Sequence, residues 1–282
     1  FGIILFRDVG SISMSCLDIE GFGVGVYVGS AKAAGDVSLR DSIIHNNGVI
    51  GFLGGSDRLA VERNNFTNNG FSGASSLQHN VYIGADGDDM VVRGNRLSES
   101  AIDANGQCLG PNLIAHGGVT NNLLIEHNLI EEANANAGCW GLNVDGVGAG
   151  TTHTNAVIRG NVVRNVGNQS IGVSSCVDCL IENNIVIQEK IGYSEGIVSP
   201  NRPTSFPDAD VTGTIVRNNT VYFGAGITGR PFYIGERGSN YIMNNNIAFF
   251  ESATSSNFCY HFDLAASDYS EVSNNLCSGG TF

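Results

Sequence analysis

The stretch "LIEHNLIEEA", residues 124–133, alternates apolar with polar residues and places an amide, Asn128, in the middle of the alternation. Seven further stretches repeat this frame with an asparagine in the same place, at Asn64, Asn95, Asn161, Asn184, Asn219, Asn245 and Asn275. Two earlier stretches, "SMSCLDIEGFG" and "SLRDSIIHNNG", fit the frame with Leu17 and Ser42 in that place. The repeat length runs from 22 residues (Ser42 to Asn64) to 35 (Asn184 to Asn219), which predicts a solenoid.

The local pattern of each unit predicts short strands. Segments such as "GVGVYV", "HNVYIG" and "GLNVDG" are bounded by Gly, Asn and Ser, and no stretch keeps a helical apolar stripe over ten residues. Two or three short strands in a coil of at least 22 residues indicate an all-β protein. We expect a parallel β-helix of about nine to ten rungs, stacked about 4.8 Å apart through backbone hydrogen bonds.

The repeated asparagine has a structural explanation in such a fold. An amide at the bend between two strands donates to one neighbouring rung and accepts from the other, as in stacked amide ladders. A buried amide without partners would cost roughly 1–3 kcal/mol, whereas a ladder satisfies it. The recurring asparagines therefore predict an asparagine ladder.

These repeats with their turn asparagines resemble the right-handed parallel β-helix proteins of the pectin-lyase-like superfamily. The resemblance covers nearly the whole chain and implies a right-handed parallel β-helix solenoid. We expect residues 1–282 to form a single domain that lacks its N-terminal cap, because "FGIILFRDVGSISM" already reads as strand, turn and strand. The resemblance identifies architecture and not chemistry, since the superfamily includes lyases, epimerases, glycosidases, tailspikes and adhesins.

A column of charges of alternating sign precedes the asparagines. Its members are Arg40, Glu62, Arg93, Glu126, Arg159, Glu182 and Arg217. Side chains that point outward on stacked strands would form a ladder of opposite charges, each exposed pair contributing about 0.2–1 kcal/mol. The column therefore predicts a structural role for four of the 14 basic residues.

Composition limits the classes of partner. The chain is 42% hydrophobic with 38 glycines, which suits one elongated domain with many tight turns. A formal net charge of −13 argues against nucleic acid, which requires basic patches. No apolar run approaches the ~18 residues needed to span a membrane. The same charge opposes an acidic polysaccharide unless a local basic site or a metal ion reverses the field.

Seven cysteines favour an oxidising compartment, so we expect a secreted or periplasmic protein. Cys108 and Cys139 fall in equivalent insertions of adjacent units and are expected to pair, and a Cys259–Cys277 disulfide would close the last turn. Cys176 and Cys179 have C-x-x-C spacing without a second pair nearby, which favours buried thiols or a local disulfide over a zinc site.

Three consecutive units between Asn64 and Asn161 are long, at 31, 33 and 33 residues. Their extra residues would form one wall of a cleft, and loops on rigid scaffolds commonly carry binding sites. The strands that follow these loops supply the candidate site residues. They are His79, Tyr82, His116, Trp140, Asn143 and Asp145. With Val81, Ile83, Leu142 and Val144 inward, we expect Tyr82, Asn143 and Asp145 to face outward. Three rungs span only about 10 Å, so these side chains would converge on one sugar residue.

Proton transfer beside a carboxylate is the chemistry that this set suits. Removing the proton next to a uronate carboxyl requires a base, an acid for the leaving oxygen and a group that neutralises the carboxylate. His79, His116 and Tyr82 supply base and acid, Asn143 a hydrogen bond to the carboxylate, and Trp140 a flat face for stacking. The set looks like the His, Tyr and Asn/Asp groupings of alginate lyases and epimerases. A polysaccharide or oligosaccharide is the expected partner.

A calcium ion is a further expectation, because "GADGDDM" places Asp86, Asp88 and Asp89 at oxygen-rich spacing beside the predicted cleft. The loop lacks the closing bidentate glutamate of a full calcium loop. A solvated turn is therefore the competing interpretation.

Two other functions remain compatible with the sequence. A glycoside hydrolase would pair Asp145 with Asp103, Glu131 or Glu132 and act on a neutral glycan, which the net charge favours. A non-catalytic adhesin or tailspike-like segment would use the long units for glycan binding alone.

Overall fold

A computed structural model describes residues 1–5, 10–29, 36–72, 78–84, 86–100, 102, 105–106, 108, 110–132, 138–190, 192–202, 206, 208–253 and 257–282. Within these ranges the chain winds through successive rungs of three short strands, and four of the rungs contain a fourth strand. No helix in the described ranges is long and apolar enough to cross a membrane.

The strands, numbered in chain order, form four sheets. Sheet A contains β1 (Ile3–Leu5), β4 (Val24–Val28), β7 (Ile50–Gly54), β10 (His79–Ile83), β14 (Pro111–His116), β18 (Trp140–Asp145), β22 (Gln169–Val173), β26 (Tyr193–Ser199), β29 (Thr228–Ile234) and β32 (Tyr260–Phe262). Sheet B contains β2 (Ile12–Ser15), β5 (Val37–Arg40), β8 (Ala60–Glu62), β12 (Val91–Arg93), β16 (Leu124–Glu126), β20 (Val157–Arg159), β24 (Leu180–Glu182), β27 (Ile215–Arg217), β30 (Tyr241–Asn244) and β33 (Tyr269–Ser273). Sheet C contains β3 (Asp18–Ile19), β6 (Ile43–His45), β9 (Asn65–Thr67), β13 (Arg96–Ser98), β17 (Leu129–Glu131), β21 (Val162–Arg164), β25 (Ile185–Gln188), β28 (Thr220–Phe223), β31 (Ile247–Phe250) and β34 (Leu276–Ser278). Sheet D contains β11 (Gly87–Asp88), β15 (Val119–Asn121), β19 (Thr152–Thr154) and β23 (Cys176–Val177), and a 3-10 helix spans Ala266–Asp268.

Neighbouring strands of each sheet are parallel and belong to successive rungs. Because the rungs are in register, side chains of one kind stack along the axis. On sheet B, Val92 pairs with Val61 on one side and with Ile125 on the other, and all three side chains are fully buried. Burying each such side chain contributes about 1.5–3 kcal/mol. The predicted all-β, right-handed parallel β-helix of about nine to ten rungs is confirmed, with ten strands in each of the three long sheets.

The predicted asparagine ladder is confirmed. Asn128 Nδ2 donates to Asn161 Oδ1 at 3.0 Å and to the Val92 carbonyl oxygen at 3.0 Å. Asn128 Oδ1 in turn accepts a hydrogen bond from Asn95 Nδ2 at 3.0 Å. Equivalent bonds join Ser42, Asn64, Asn95, Asn128, Asn161, Asn184, Asn219, Asn246 and Asn275. Each rung is thereby tied to the next at the turn between sheets B and C.

One position of the ladder differs from the sequence prediction. Asn246 and not Asn245 bonds to Asn219 and Asn275. The residue before each ladder position has a positive φ, between 49° and 65°, and Asn245 occupies that position with φ 57°. Glycine and asparagine tolerate this left-handed conformation best, which explains why the repeat so often reads Asn-Asn or Gly-Asn. Three successive asparagines made the position ambiguous in the sequence.

The alternating charges form the predicted ladder on the outer face of sheet B. Arg40 pairs with Glu62 at 2.7 Å, Arg159 with Glu126 at 2.7 Å, and Arg217 with Glu182 at 2.8 Å. Burial opposes ionisation of Glu126, but the hydrogen bond from Arg159 and the charges of Arg93 and Arg159 together lower the pKa of Glu126. The ladder commits these side chains to contacts between rungs.

A second buried polar ladder lies at the turn between sheets C and A. Asn47 Nδ2 donates to Asn69 Oδ1 at 2.9 Å, and Asn69 Nδ2 donates to Asn80 Oδ1 at 2.7 Å. Asn80 Nδ2 donates to Asn112 Oδ1 at 2.8 Å, and Asn112 Nδ2 donates to Glu132 Oε1 at 2.6 Å. All five residues are buried. The series of four amides therefore leads to a buried carboxyl group.

Glu132 is the unusual member of this second ladder. Its Oε1 also accepts a bond from the Ser100 backbone at 3.2 Å, whereas its Oε2 makes no hydrogen bond with the residues described. Burial first, and then the charge of Glu99, raise the pKa of Glu132 well above its ordinary value. The folded state therefore favours the protonated carboxyl.

The disulfide predictions agree with the structure. Cys108 bonds to Cys139, Cys176 to Cys179 and Cys259 to Cys277, which leaves Cys16 as a free thiol. The Cys108–Cys139 bond joins the segments that lead into β14 and β18. It thereby links two neighbouring rungs of sheet A.

We predict that Asn64→Ala lowers the free energy of unfolding by about 2–4 kcal/mol, because it leaves the buried Ser42 backbone N–H and the Leu39 carbonyl unpaired. Urea unfolding measures the change. Asn65→Ala is the matched control, since Asn65 is only partly buried on the adjacent strand β9. Equal losses from the two substitutions would contradict a special role for the ladder.

We also predict that Glu132→Gln becomes stabilising as the pH rises. A carboxyl whose folded pKa is raised contributes most stability below its unfolded pKa of about 4.3 and loses it as pH rises toward the folded pKa. Urea midpoints at pH 4 and pH 8 should therefore diverge in favour of the variant at pH 8. Glu131→Gln, at a surface ion pair with Arg96, is the control. A gap between variant and native protein that does not change with pH would refute the prediction.

Candidate functional site

The outer face of sheet A brings the predicted site residues together. In β14 and β18, Ile114 pairs with Asn143 and His116 with Asp145. In β10, Tyr82 pairs with Ile114 on the adjacent strand. The predicted inward residues Val81, Ile83, Leu142 and Val144 all lie in the hydrophobic core. The alternation of the strands therefore directs Tyr82, His116, Asn143 and Asp145 to one face.

A histidine–carboxylate pair is the centre of this site. His116 Nδ1 forms a short contact with Asp145 Oδ1 on the neighbouring strand. The His116 side chain is 19% exposed and that of Asp145 only 2%. Because a carboxylate accepts the hydrogen bond, Nδ1 carries the proton and Nε2 keeps its lone pair. This is the arrangement of a general base whose orientation is fixed by a buried carboxylate.

Two other histidines near the pair are fully buried. His79 Nδ1 lies 2.8 Å from the Pro111 carbonyl oxygen, so Nδ1 carries the proton, and burial lowers the pKa of His79 to about 4. His153 bonds to the Asp145 carbonyl oxygen at 3.0 Å and to Thr120 Oγ1 at 2.8 Å, and burial likewise lowers the pKa of His153. Both imidazoles are neutral structural groups near pH 7, and His116 is the partly exposed histidine at this site.

Tyr82 is partly buried between His79 and His116. Its ring centroid lies 5.4 Å from that of His79 and 6.1 Å from that of His116, and its hydroxyl donates a long bond of 3.4 Å to the His116 carbonyl oxygen. Burial first, and then the charge of Asp145, raise the pKa of Tyr82. The phenol therefore holds its proton and can act as an acid.

Asn143 and Trp140 differ in how deeply they are buried. Asn143 is fully buried, and its Nδ2 lies 3.5 Å from Gln169 Oε1. Gln169 Nε2 donates to Glu195 Oε2 at 3.3 Å, so these three polar side chains form a buried row. Trp140 pairs with Pro111 and is only partly buried. Of the two, Trp140 is the side chain that a ligand can reach.

A segment that follows β26 adds residues that the sequence analysis missed. Asn201 Nδ2 donates to Asp145 Oδ2 at 3.2 Å, and Arg202 Nη2 lies 3.7 Å from Asp145 Oδ1. Arg202 also pairs with Asp208 at 2.7 Å. The available signal was length, because the unit from Asn184 to Asn219, at 35 residues, is the longest of the series. The predicted site was based on the three consecutive long units and did not include this single long unit.

The predicted calcium site finds no support in the structure. Asp86 Oδ1 accepts a bond from the Val119 backbone at 2.8 Å, and Asp89 Oδ1 accepts one from Asn122 Nδ2 at 2.9 Å. Asp88 lies in β11 beside Asn121. Among the described residues, no three His, Cys, Asp or Glu side chains lie close enough to hold a metal ion. Asp86 and Asp89 instead accept hydrogen bonds from the next rung, because the turn repeats from rung to rung.

Two of the three carboxylates suggested as partners of Asp145 in a hydrolase make other contacts. Glu131 pairs with Arg96 at 2.5 Å on the outer face of sheet C, and Glu132 lies in the second buried ladder. Asp103 lies outside the described residues. Among the residues that the structure describes, the geometry therefore favours the histidine–carboxylate pair over a pairing of Asp145 with Glu131 or Glu132.

The chain is similar to solved structures at low sequence identity. No protein-family model matches the chain, and no curated protein matches it. A mutant of DFA-IIIase from Arthrobacter chlorophenolicus A6 matches 83% of this chain with 16% identity and a TM-score of 0.40, and the mutant in complex with DFA-III matches with a TM-score of 0.42. The Dettilon tailspike protein matches 96% of this chain with 14% identity and a TM-score of 0.49. The chain spans 43% of the length of the former structures and 60% of the latter.

We predict that the His79 imidazole stays neutral down to about pH 5, because burial lowers the pKa of His79 to about 4. Because the folded pKa of His79 is depressed, its neutral form contributes stability above pH 6.5 that is lost as pH falls toward 4. NMR titration of the His79 ring signals measures its protonation. A normal titration of His79 would show that its ring is open to solvent.

Proposed function

We propose that the protein is a carbohydrate-active enzyme that removes the proton next to the carboxyl group of a uronate sugar, as a polysaccharide lyase or epimerase. The supporting observation is the partly exposed His116 held against the buried Asp145, with Tyr82 on the neighbouring strand. A base and an acid on adjacent rungs, about 4.8 Å apart, suit one sugar residue. The surrounding histidines are buried and neutral, which concentrates the base function on His116.

His116 is the proposed base. Its Nε2 takes the proton from the carbon next to the carboxyl group, and the electron pair of the broken C–H bond passes into that carboxyl group as an enolate. Asp145 remains ionised beside Nδ1 and stabilises the imidazolium that forms. In this assignment Asp145 acts through His116 and not on the sugar.

Tyr82 is the proposed acid. In a lyase the enolate collapses to a carbon–carbon double bond as the bond to the leaving oxygen breaks, and the Tyr82 hydroxyl gives its proton to that oxygen. In an epimerase the bond to the neighbouring sugar stays intact, and the Tyr82 hydroxyl gives its proton to the same carbon from the opposite face. The raised pKa of Tyr82 keeps this proton available near neutral pH.

Arg202 addresses the repulsion between a chain of net charge −13 and an acidic glycan. Its guanidinium lies 3.7 Å from Asp145, with 13% of the side chain exposed. A positive group beside the site lowers the cost of bringing a carboxylate there. The partly buried Trp140 offers a flat apolar face for the sugar ring.

A secreted or periplasmic location is part of the proposal. Three disulfides support it, since such bonds persist in oxidising compartments. The glycan would then be met outside the cytoplasm.

The test is incubation with alginate, pectate and neutral glycans, with and without calcium. A lyase produces an unsaturated uronate with its ultraviolet absorbance, and an epimerase changes the sugar configuration that NMR reports without cleavage. We predict that Tyr82→Phe and His116→Ala each lower kcat by about 100-fold or more, since each removes a proton-transfer group.

Tyr222→Phe and His127→Asn are matched controls. Tyr222 bonds to Glu251 on the exposed face of sheet C, and the His127 side chain is 65% exposed at a turn. Both controls should keep native activity. New reducing ends without unsaturated product would instead indicate a hydrolase, and binding without any change in the glycan would indicate an adhesin-like protein. Either result would overturn the proposal.

A further inference from the structure

The buried carboxylate of Asp145 has partners on both sides. On one side is His116 Nδ1, from the neighbouring strand β14. On the other side, Oδ2 accepts a bond from Asn201 Nδ2 at 3.2 Å. Arg202 Nη2 lies 3.7 Å from Oδ1, the oxygen that His116 Nδ1 also contacts. Asn201 and Arg202 stand 56 and 57 positions after Asp145 in the chain, two rungs away. The segment after β26 therefore reaches back across β22 to the site.

The placement of this segment is fixed by the backbone beneath it. The Asn201 N–H donates to the Val173 carbonyl oxygen at 3.1 Å, which docks the segment on the end of β22. A Cβ added at Gly172 would lie 2.5 Å from Asn143 Nδ2 and 2.7 Å from Asn201 Cβ. Such distances are too short for a Cβ. Asn201 can therefore approach sheet A this closely only because Gly172 has no side chain.

Arg202 is itself held by a second carboxylate. It pairs with Asp208 at 2.7 Å, and Asp208 accepts a bond from Ser174 Oγ at 3.0 Å and lies 3.7 Å from Arg237. The Asp208 side chain is 1% exposed. The charges thus alternate from Asp145 through Arg202 and Asp208 to Arg237, and His116 contacts the Asp145 end of this series.

We infer that Arg202 and Asn201 are positioning residues, which fix the Asp145 carboxylate so that it holds His116 in the tautomer with Nε2 free. The inference rests on the proposed function, because the freed Nε2 is the base of that reaction. A carboxylate whose Oδ2 is hydrogen-bonded by Asn201, and whose Oδ1 lies 3.7 Å from the Arg202 guanidinium, is held against rotation away from Nδ1. A displacement of about 1 Å in such a group can cost about 100-fold in rate.

Arg202 has an electrostatic effect as well. A lone carboxylate beside an imidazole favours the charged imidazolium, and a positive group on the same carboxylate opposes this. Removing Arg202 should therefore move the acid limb of the kcat profile to higher pH, and Asp208→Asn, which frees the charge of Arg202, should move it lower. The other titratable groups facing the pair are Tyr82, His79 and His153.

The experiment compares Arg202→Gln with Arg230→Gln as a matched control. Arg230 donates to the buried Glu195 at 3.0 Å on the same sheet, so its loss removes an equal charge without any contact to Asp145. We expect Arg202→Gln to lower kcat about 100-fold, to raise KM by a smaller factor because a positive group beside the substrate is lost, and to shift the acid limb. Arg230→Gln should do none of these. Arg202→Lys should restore part of the loss, and Gly172→Ala, which displaces Asn201 without altering charge, should lower kcat.

Ring nitrogen NMR of His116 provides a readout that needs no substrate. The native protein should show one tautomer with Nδ1 protonated, and Arg202→Gln and Gly172→Ala should show a mixture. If no glycan is turned over, the proposed function fails while this measurement still decides the inference. Equal kcat and tautomer populations in Arg202→Gln and Arg230→Gln would overturn it.

Discussion

The interaction on which this molecule depends is the hydrogen bond between a buried amide in one rung and its copy in the next. Asn128 shows why, because its amide bonds to the rung on either side and to the Val92 backbone. A one-residue slip of any rung would break these bonds and turn the aliphatic core residues outward. The ladder therefore fixes the register that the apolar stacks alone would leave less strictly defined.

A fixed register explains the surface as well as the core. Residues some thirty positions apart become neighbours, so Arg159 meets Glu126 on sheet B and His116 meets Asp145 on sheet A. On sheet B the opposite charges of neighbouring rungs form ion pairs with each other. On sheet A the same geometry joins a histidine and a carboxylate with a tyrosine beside them. Burial keeps the neighbouring imidazoles of His79 and His153 neutral near neutral pH.

Much of the site could be predicted because it lies on regular strands. The alternation of Val81, Tyr82 and Ile83 correctly placed Tyr82 outward, and the repeat length correctly placed Asp145 beside the strand of His116. The burial of Asn143 could not be predicted, since it depends on what covers sheet A. Arg202 and Asn201 lie in an irregular segment after β26, which has no period from which a position could be calculated. The spacing of the aspartates near Asp88 suggested a metal site, but rung-to-rung hydrogen bonds engage those oxygens instead.

The sequence by itself determined the parallel β-helix, both the charge and asparagine ladders, and the strands that carry His116, Tyr82 and Asp145. These features follow from local alternation and from a repeat, and both can be read from the order of residues along the chain. Only the tertiary structure decided which asparagine of three enters the ladder, which histidines are buried, and that Arg202 reaches Asp145. Those outcomes depend on backbone conformation and on contacts between distant segments, and a repeat pattern does not encode either of them.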